Sequence, residues 1–390
     1  MTITLEAKQL RAIAVEAKDV ATSSGGSAPI FSNVLIREEA EGRVVFVATD
    51  LDTAIERQLV AVRGDLARAP LRTTVSAKYL ADITAKLPKD AQVKLEHADG
   101  KLKLTSGRAR FVLSTLPAED FPAFPRADWD ADFEIGGNAL AELYDRLNFA
   151  ISTDATRYYL GGIFLHRVEI DGQAMLRAAA TDGHRLARAQ IPLPEGAEGL
   201  PQPGVILPRP ALKVIRGLID HMPPDTEDTP RTIGVAVTSS RAEFDFGKGE
   251  HGETRFTCKL IDGTFPDYAR VIPTSNDKLL TVEKAALREA VARVATIISD
   301  KTRVVKLQLA GELVTVSATS VEAGQATEEV PCSWTGGPLD IGFNAAYLQD
   351  VLGAIESDTV AAEIQDAGAS TLWRADKDPD ALFVLMPVRV

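Results

Sequence analysis

The residues of this chain best placed to do chemistry are Thr181-Asp182-Gly183-His184-Arg185, where a carboxylate two positions from an imidazole has the makings of a general base and its orienting acid. Asp50-Leu51-Asp52 offers two carboxylates that could share a metal ion. Neither finds the rest of its machinery. A base needs a nucleophile or metal partner in a closed pocket, and the sequence has no second histidine cluster, no Walker-type loop and no nucleophile elbow. The two segments are instead copies of one another, with a third at Ser317-Ala318-Thr319-Ser320-Val321-Glu322. Each follows an apolar β-type run, and the spacings are 181 − 49 = 132 and 319 − 181 = 138 residues. The second carboxylate of Asp50-Leu51-Asp52 becomes His184 and then Glu322, so no ligand set recurs. A turn is the role that fits all three copies.

A period this long marks domains, and the flanking elements recur with it. Ahead of each copy lies an amphipathic helical pattern, over Leu5 to Lys18, Ala139 to Phe149 and Lys284 to Ile297. Behind each lies a second one, over Ala77 to Leu87, Arg209 to Ile219 and Asn344 to Ile355. Closing strands follow at Phe111 to Leu116, Phe256 to Ile261 and Leu382 to Pro387. The expected fold class is therefore α+β: three similar domains, 1–130, 131–275 and 276–390, each with antiparallel sheet and two helices. Asp99-Gly100 reads as a tight hairpin turn. The apolar tail from Ala381 to Val390 is expected either as an edge strand or as a segment left to bind something.

Composition narrows the function classes. The 390 residues are 45% apolar, enough for several cores. Cys258 and Cys332 have no paired spacing and supply no metal framework; no cofactor is expected. No signal-like opening and no long apolar run are present, which points to a cytoplasmic protein without a membrane partner. The net charge of −12 argues against wrapping in nucleic acid by bulk attraction. Basic residues nevertheless recur on equivalent helices: Lys78 and Lys86, then Arg146, Arg209, Lys213 and Arg216, then Lys284 and Arg288.

Several runs together resemble the β sliding clamp family of bacteria, the β subunits of DNA polymerase III. They are Arg157-Tyr158-Tyr159-Leu160-Gly161-Gly162, Ala180 to Ala187, Gly263-Thr264-Phe265-Pro266-Asp267-Tyr268-Ala269-Arg270-Val271-Ile272-Pro273, Ile341-Gly342-Phe343-Asn344 and Met386-Pro387-Val388-Arg389-Val390, with Phe111 to Phe121. The resemblance spans the chain in collinear order. It implies the DNA clamp fold, with a head-to-tail homodimer making a six-domain ring and helices lining the hole. Such a ring would encircle duplex DNA without sequence preference and tether replicative and translesion polymerases and other clamp-binding proteins, with a clamp loader as a further partner and no catalysis of its own. It would be nucleoid-associated during replication. Loose positive contacts suit a ring that must slide along phosphates.

Residue by residue, the resemblance implies a partner-peptide pocket of Leu160, Thr181, Gly183, His184, Arg185, Leu186, Pro266, Arg270, Val271, Asn344, Tyr347, Ser370, Val384, Met386, Pro387, Val388 and Arg389. Its apolar floor would take anchors, with Arg185, Arg270 and Arg389 meeting client carboxylates or carbonyls. It implies DNA-facing roles for Tyr158, Tyr159 and the basic helix residues above. It implies a dimer contact of Phe111 and Leu113 with Ile297 and Ile298, residues that would serve equally as plain core. Two departures stand out. Ser27 occupies a position in the Ser23 to Ser27 loop where many relatives carry a DNA-touching arginine, and the last inner helix, Asn344 to Ile355, has no Lys or Arg. Both also fit a clamp-like paralogue serving a repair or plasmid system.

Overall fold

The computed structural model describes residues 2–21, 28–39, 42–61, 63–64, 70–122, 128–226, 230–249, 252–298, 303–376 and 378–390. The Ser23 to Ser27 loop lies outside them. Among the described residues there are six α-helices: α1 (Ala7–Ala21), α2 (Ala77–Thr84), α3 (Gly137–Leu147), α4 (Arg209–Asp220), α5 (Lys284–Val294) and α6 (Ala345–Ala354). These are the six expected from periodicity, with ends shifted by a few residues. Helix α1 shows why it forms: Leu10, Ile13, Ala14, Ala17 and Ala21 fall at i, i+3, i+4 spacing and are all buried. Burying Leu10 and Ile13 is worth about 1.5–3 kcal/mol each. Asn344 starts α6 by accepting from the backbone N–H groups of Ala346 and Tyr347, at 2.9 and 3.2 Å.

Contacts group the chain into two compact units, one of residues 1–138, 194–201 and 210–260, the other of 139–193, 202–209 and 261–390. The expected middle domain, 131–275, thus gives strands to both. In the first unit a five-stranded antiparallel sheet ends at Ala109–Ser114, and an eight-stranded one runs from Ala131–Gly136 to Arg72–Ser76. The eight-stranded sheet is joined where Thr53–Val60 pairs with Gly252–Lys259. Arg57 is buried there and grips Glu16 of α1 with Nε and a terminal nitrogen, at 2.7 and 2.5 Å. Removing one partner of such a pair would cost on the order of 3–5 kcal/mol, because the other is left charged and dry. Asp99 and Gly100 do make the expected hairpin turn, with φ of 53° and 67°.

The second unit is built on one twelve-stranded antiparallel sheet. Its order begins Val205–Pro208, Gly162–Ile170, Gln173–Thr181, Arg185–Pro192, Ala381–Leu385, Thr371–Ala375. The tail strand is therefore interior, which corrects the expectation of an edge. Four of its five residues are buried, so it needs neighbours on both sides and cover on both faces.

Candidate peptide-binding groove

The Thr181–Arg185 motif is a turn staple. Thr181 Oγ1 donates to the Arg185 carbonyl at 2.7 Å and accepts from Gly183 N at 3.2 Å. Asp182 Oδ1 accepts from the backbone N–H groups of His184 and Arg185, at 2.9 and 3.1 Å. The other carboxylate oxygen takes Arg185 Nε at 3.0 Å. Asp182 is thus fully committed, and His184 is an exposed ring stacked on Tyr347 with centroids 6.0 Å apart. General-base chemistry has no support in this geometry. Gly183 is required here: its φ is +88°, and an added Cβ would come within 2.7 Å of an Arg157 guanidinium nitrogen.

The turn places its residues at a groove of about 170 Å³, contained within the second unit. Leu160, Leu186 and Val384 make its buried apolar floor. Thr181, Gly183, His184 and Arg185 come from the turn, Pro266 and Val271 from the stretch after Phe265, and Ser370 and Met386 from either end of the last two strands. Met386 and Val271 are 45% and 50% exposed, large apolar groups held at the mouth. Asp267 and Tyr268 also line it, and sequence reasoning missed both. The signal available was an aromatic residue between Pro266 and Pro273, inside a run already singled out.

Other expected residues stand around the groove rather than in it. Asn344 is spent on the α6 cap. Tyr347 lies over the Arg185 guanidinium, 4.2 Å from carbon to ring centroid, a cation–π contact. Val388 is stitched to Gly342, donating its N–H to that carbonyl at 2.8 Å, and Pro387 lies beside it. Arg270 and Arg389 are exposed. The Arg185 side chain is only 11% exposed and is ion-paired to Asp182 and Asp350, which braces it at the rim.

The residues expected to face DNA divide in the same way. Lys78, Lys86, Arg209 and Lys213 are exposed, and so is Tyr158, edge-on to the half-buried Tyr159. Arg146 is only 12% exposed and sits among Glu142, Glu356 and Asp378. Arg216 pairs with Asp220, Lys284 donates to the Ile355 carbonyl at 2.8 Å, and Arg288 donates to Gln349 at 3.3 Å. Arg146 and Arg216 are thus paired with carboxylates, whereas Lys284 and Arg288 meet neutral oxygens and keep their charge, Arg288 on an exposed side chain. Of the expected dimer residues, Phe111 and Leu113 are half-buried on an edge strand, and Ile297 and Ile298 are half-buried just after α5.

Comparison with known proteins places this geometry. Family models for the N-terminal, central and C-terminal domains of the DNA polymerase III beta subunit match residues 1–125, 134–267 and 269–389. The Beta sliding clamp of Caulobacter vibrioides is 42% identical over 364 residues, covering 93% of each chain. The structure of a C. crescentus beta sliding clamp, solved with polyethylene glycol bound to its proposed beta-motif tethering region, superposes with a TM-score of 0.91 at 40% identity, covering both chains fully. A DnaN sliding clamp from Bartonella birtlesii, bound to griselimycin, gives 0.90 at 36%, again over all of both chains. The chain belongs to the β sliding clamp family, the DNA polymerase III β subunits, which serve DNA replication as processivity factors without catalysis of their own.

Proposed function

We propose that the groove at Leu160, Leu186 and Val384 docks short peptides of client proteins, and that two copies of the chain close head to tail around duplex DNA. The groove carries the first part. Its apolar floor, exposed unbranched methionine and braced cationic rim suit a peptide with apolar anchors and a polar backbone. Polyethylene glycol in the tethering region of the C. crescentus relative is a flexible, partly apolar chain of the same general kind. Clients would be the replicative polymerase first, then the clamp loader, translesion polymerases and other proteins carrying a clamp-binding motif.

The ring part is supported by two unpaired strand edges. Ala109–Ser114 is a sheet edge carrying Arg110, beside Lys101 and Lys103. Over Gly324–Pro331 one side pairs with Leu313–Ser320, and among the described residues no strand pairs with the other side, which carries Glu329 and Glu328, the latter already ion-paired to Arg293 at 2.7 Å. Joining a basic edge of one copy to an acidic edge of the next is a heterologous contact that generates a ring when it closes. Phe111, Leu113, Ile297 and Ile298 would be covered by that joint. On this reading residues 1–130, 131–275 and 276–390 act as three clamp domains, Lys78, Lys86, Arg209, Lys213, Lys284, Arg288, Tyr158 and Tyr159 face the duplex, and the ring associates with the nucleoid during replication.

The test is deletion of Met386 to Val390. Truncated protein should lose affinity for a peptide from the cognate polymerase tail by at least tenfold, on the scale expected for a buried anchor, while remaining a dimer. Equal affinity would refute the groove. Ile297→Ala with Ile298→Ala should sediment as monomer at low concentration, and a persistent dimer would count against the proposed joint.

A further inference from the structure

One wall of the groove, Phe265 to Ile272, belongs to no strand, so its position needs an anchor elsewhere. That anchor is a set of four rings. Phe164, on the Gly162–Ile170 strand, stacks on Phe265 with centroids 4.9 Å apart and planes within 6°. His166, two residues along the same face, stacks on Phe164 at 4.7 Å and 19°. Tyr268 closes the set edge-on, 5.8 Å from His166 and 6.3 Å from Phe265. Its Oη lies 2.8 Å from His166 Nε2. Tyr268 therefore presents its ring to the groove and its hydroxyl to a histidine that does not line the groove.

The donor in this bond can be assigned from what surrounds it. The Arg177 and Arg188 charges both face the Tyr268 hydroxyl, which turns the oxygen's lone pairs toward the cations and its proton toward His166. Burial first, and the charge of Arg177 second, hold the imidazole's pKa down at about 4, so the ring is neutral near pH 7. With Nε2 as the acceptor, the single proton of the neutral ring lies on Nδ1. The neighbouring carboxylates are Asp380, which faces Arg188 and accepts from Gln190, and Asp267 beside Tyr268.

We propose that His166 is a positioning residue of the groove: its unprotonated Nε2 accepts the Tyr268 hydroxyl and fixes the wall against which a bound peptide packs. The inference rests on the groove being the peptide site. Its test has one readout that does not depend on that. In full-length protein without ligand, amide hydrogen exchange at Arg270 and Ile272, whose N–H groups bond within the wall, should rise about fivefold in Tyr268→Phe and in His166→Leu, the effect of one ordinary hydrogen bond. The double variant should be no worse than either single one. His166→Gln, which retains an acceptor, should recover most of the loss. Affinity for the polymerase-tail peptide should follow the same pattern, weakening about fivefold in the first two variants. Unchanged exchange in Tyr268→Phe, or additive effects in the double variant, would overturn the proposal. Wild-type protein that fails to bind the tail peptide would sink the groove reading alone, since exchange still decides the role of His166.

Discussion

The turns at Thr49–Thr53 and Thr181–Arg185 are the same device in different service. In each, the threonine hydroxyl donates to the carbonyl four residues on, at 2.7 Å in both. In each, one aspartate oxygen accepts two successive backbone N–H groups, from Asp52 and Thr53 in the first and from His184 and Arg185 in the second. In each the last residue's side chain also donates to the aspartate, the Thr53 hydroxyl to the same Asp50 oxygen at 2.9 Å and the Arg185 guanidinium to the other Asp182 oxygen at 3.0 Å. What differs is the cargo. The first turn carries Leu51, Asp52 and Ala54, while the second carries Gly183, His184 and Leu186 at the groove. The recurrence that revealed the repeat encodes the staple, and function lies in the positions the staple leaves free.

Making the second turn resemble the first tests that division, the largest effect coming from the floor. Leu186→Ala gives the residue found at Ala54; with Leu186 buried, thermal or denaturant unfolding should show a loss of about 2–5 kcal/mol, and tail-peptide affinity should fall with it. Gly183→Ala should cost about 1–3 kcal/mol through its positive φ and the Arg157 contact. Leu51, at φ of 75°, holds the equivalent position under strain, so Leu51→Gly should be near neutral or stabilise by up to about 1 kcal/mol. Arg185→Thr keeps a donor for Asp182 but leaves Tyr347 without its cation; calorimetry should show peptide affinity weakened by a few-fold, about 0.5–1 kcal/mol.

A separate effect is specific to acid and to the second unit. The His166 ring titrates at 6.5 in an open chain and about 4 in the fold, so as pH falls the unfolded state takes up the proton first. Its contribution to stability is complete above about pH 6.5 and declines toward pH 4. Equilibrium unfolding across this window should be less pH-dependent in His166→Gln than in the parent chain.

Local physics explains which features were legible in advance. Helix positions followed from apolar spacing, and the Asp99-Gly100 hairpin from turn chemistry, because both are decided within a few residues. The groove's floor was legible only through resemblance, since Leu186 and Val384 meet by pairing of distant strands. The ion pairs of Arg185 and Arg146 were not legible for one reason: a sequence displays a cation but not the carboxylates that fold onto it, here Asp350 in one case and Glu356 and Asp378 in the other. His166 went unnoticed because its partner stands 102 residues away and a single histidine on a strand carries no pattern. The tail strand looked like an edge because its apolar character says that it is covered, not by what.

The pairing of Arg185–Ala189 with Ala381–Leu385 also sets a timetable for biosynthesis. Val384 is made 384 − 186 = 198 residues after Leu186; at roughly 5–20 residues per second the ribosome needs about 10–40 s to deliver it. Throughout that interval the nascent chain displays half of an apolar floor on a strand paired along one edge only. Chaperone contact during translation should therefore concentrate on the Arg185–Pro192 strand and end when residue 385 clears the exit tunnel.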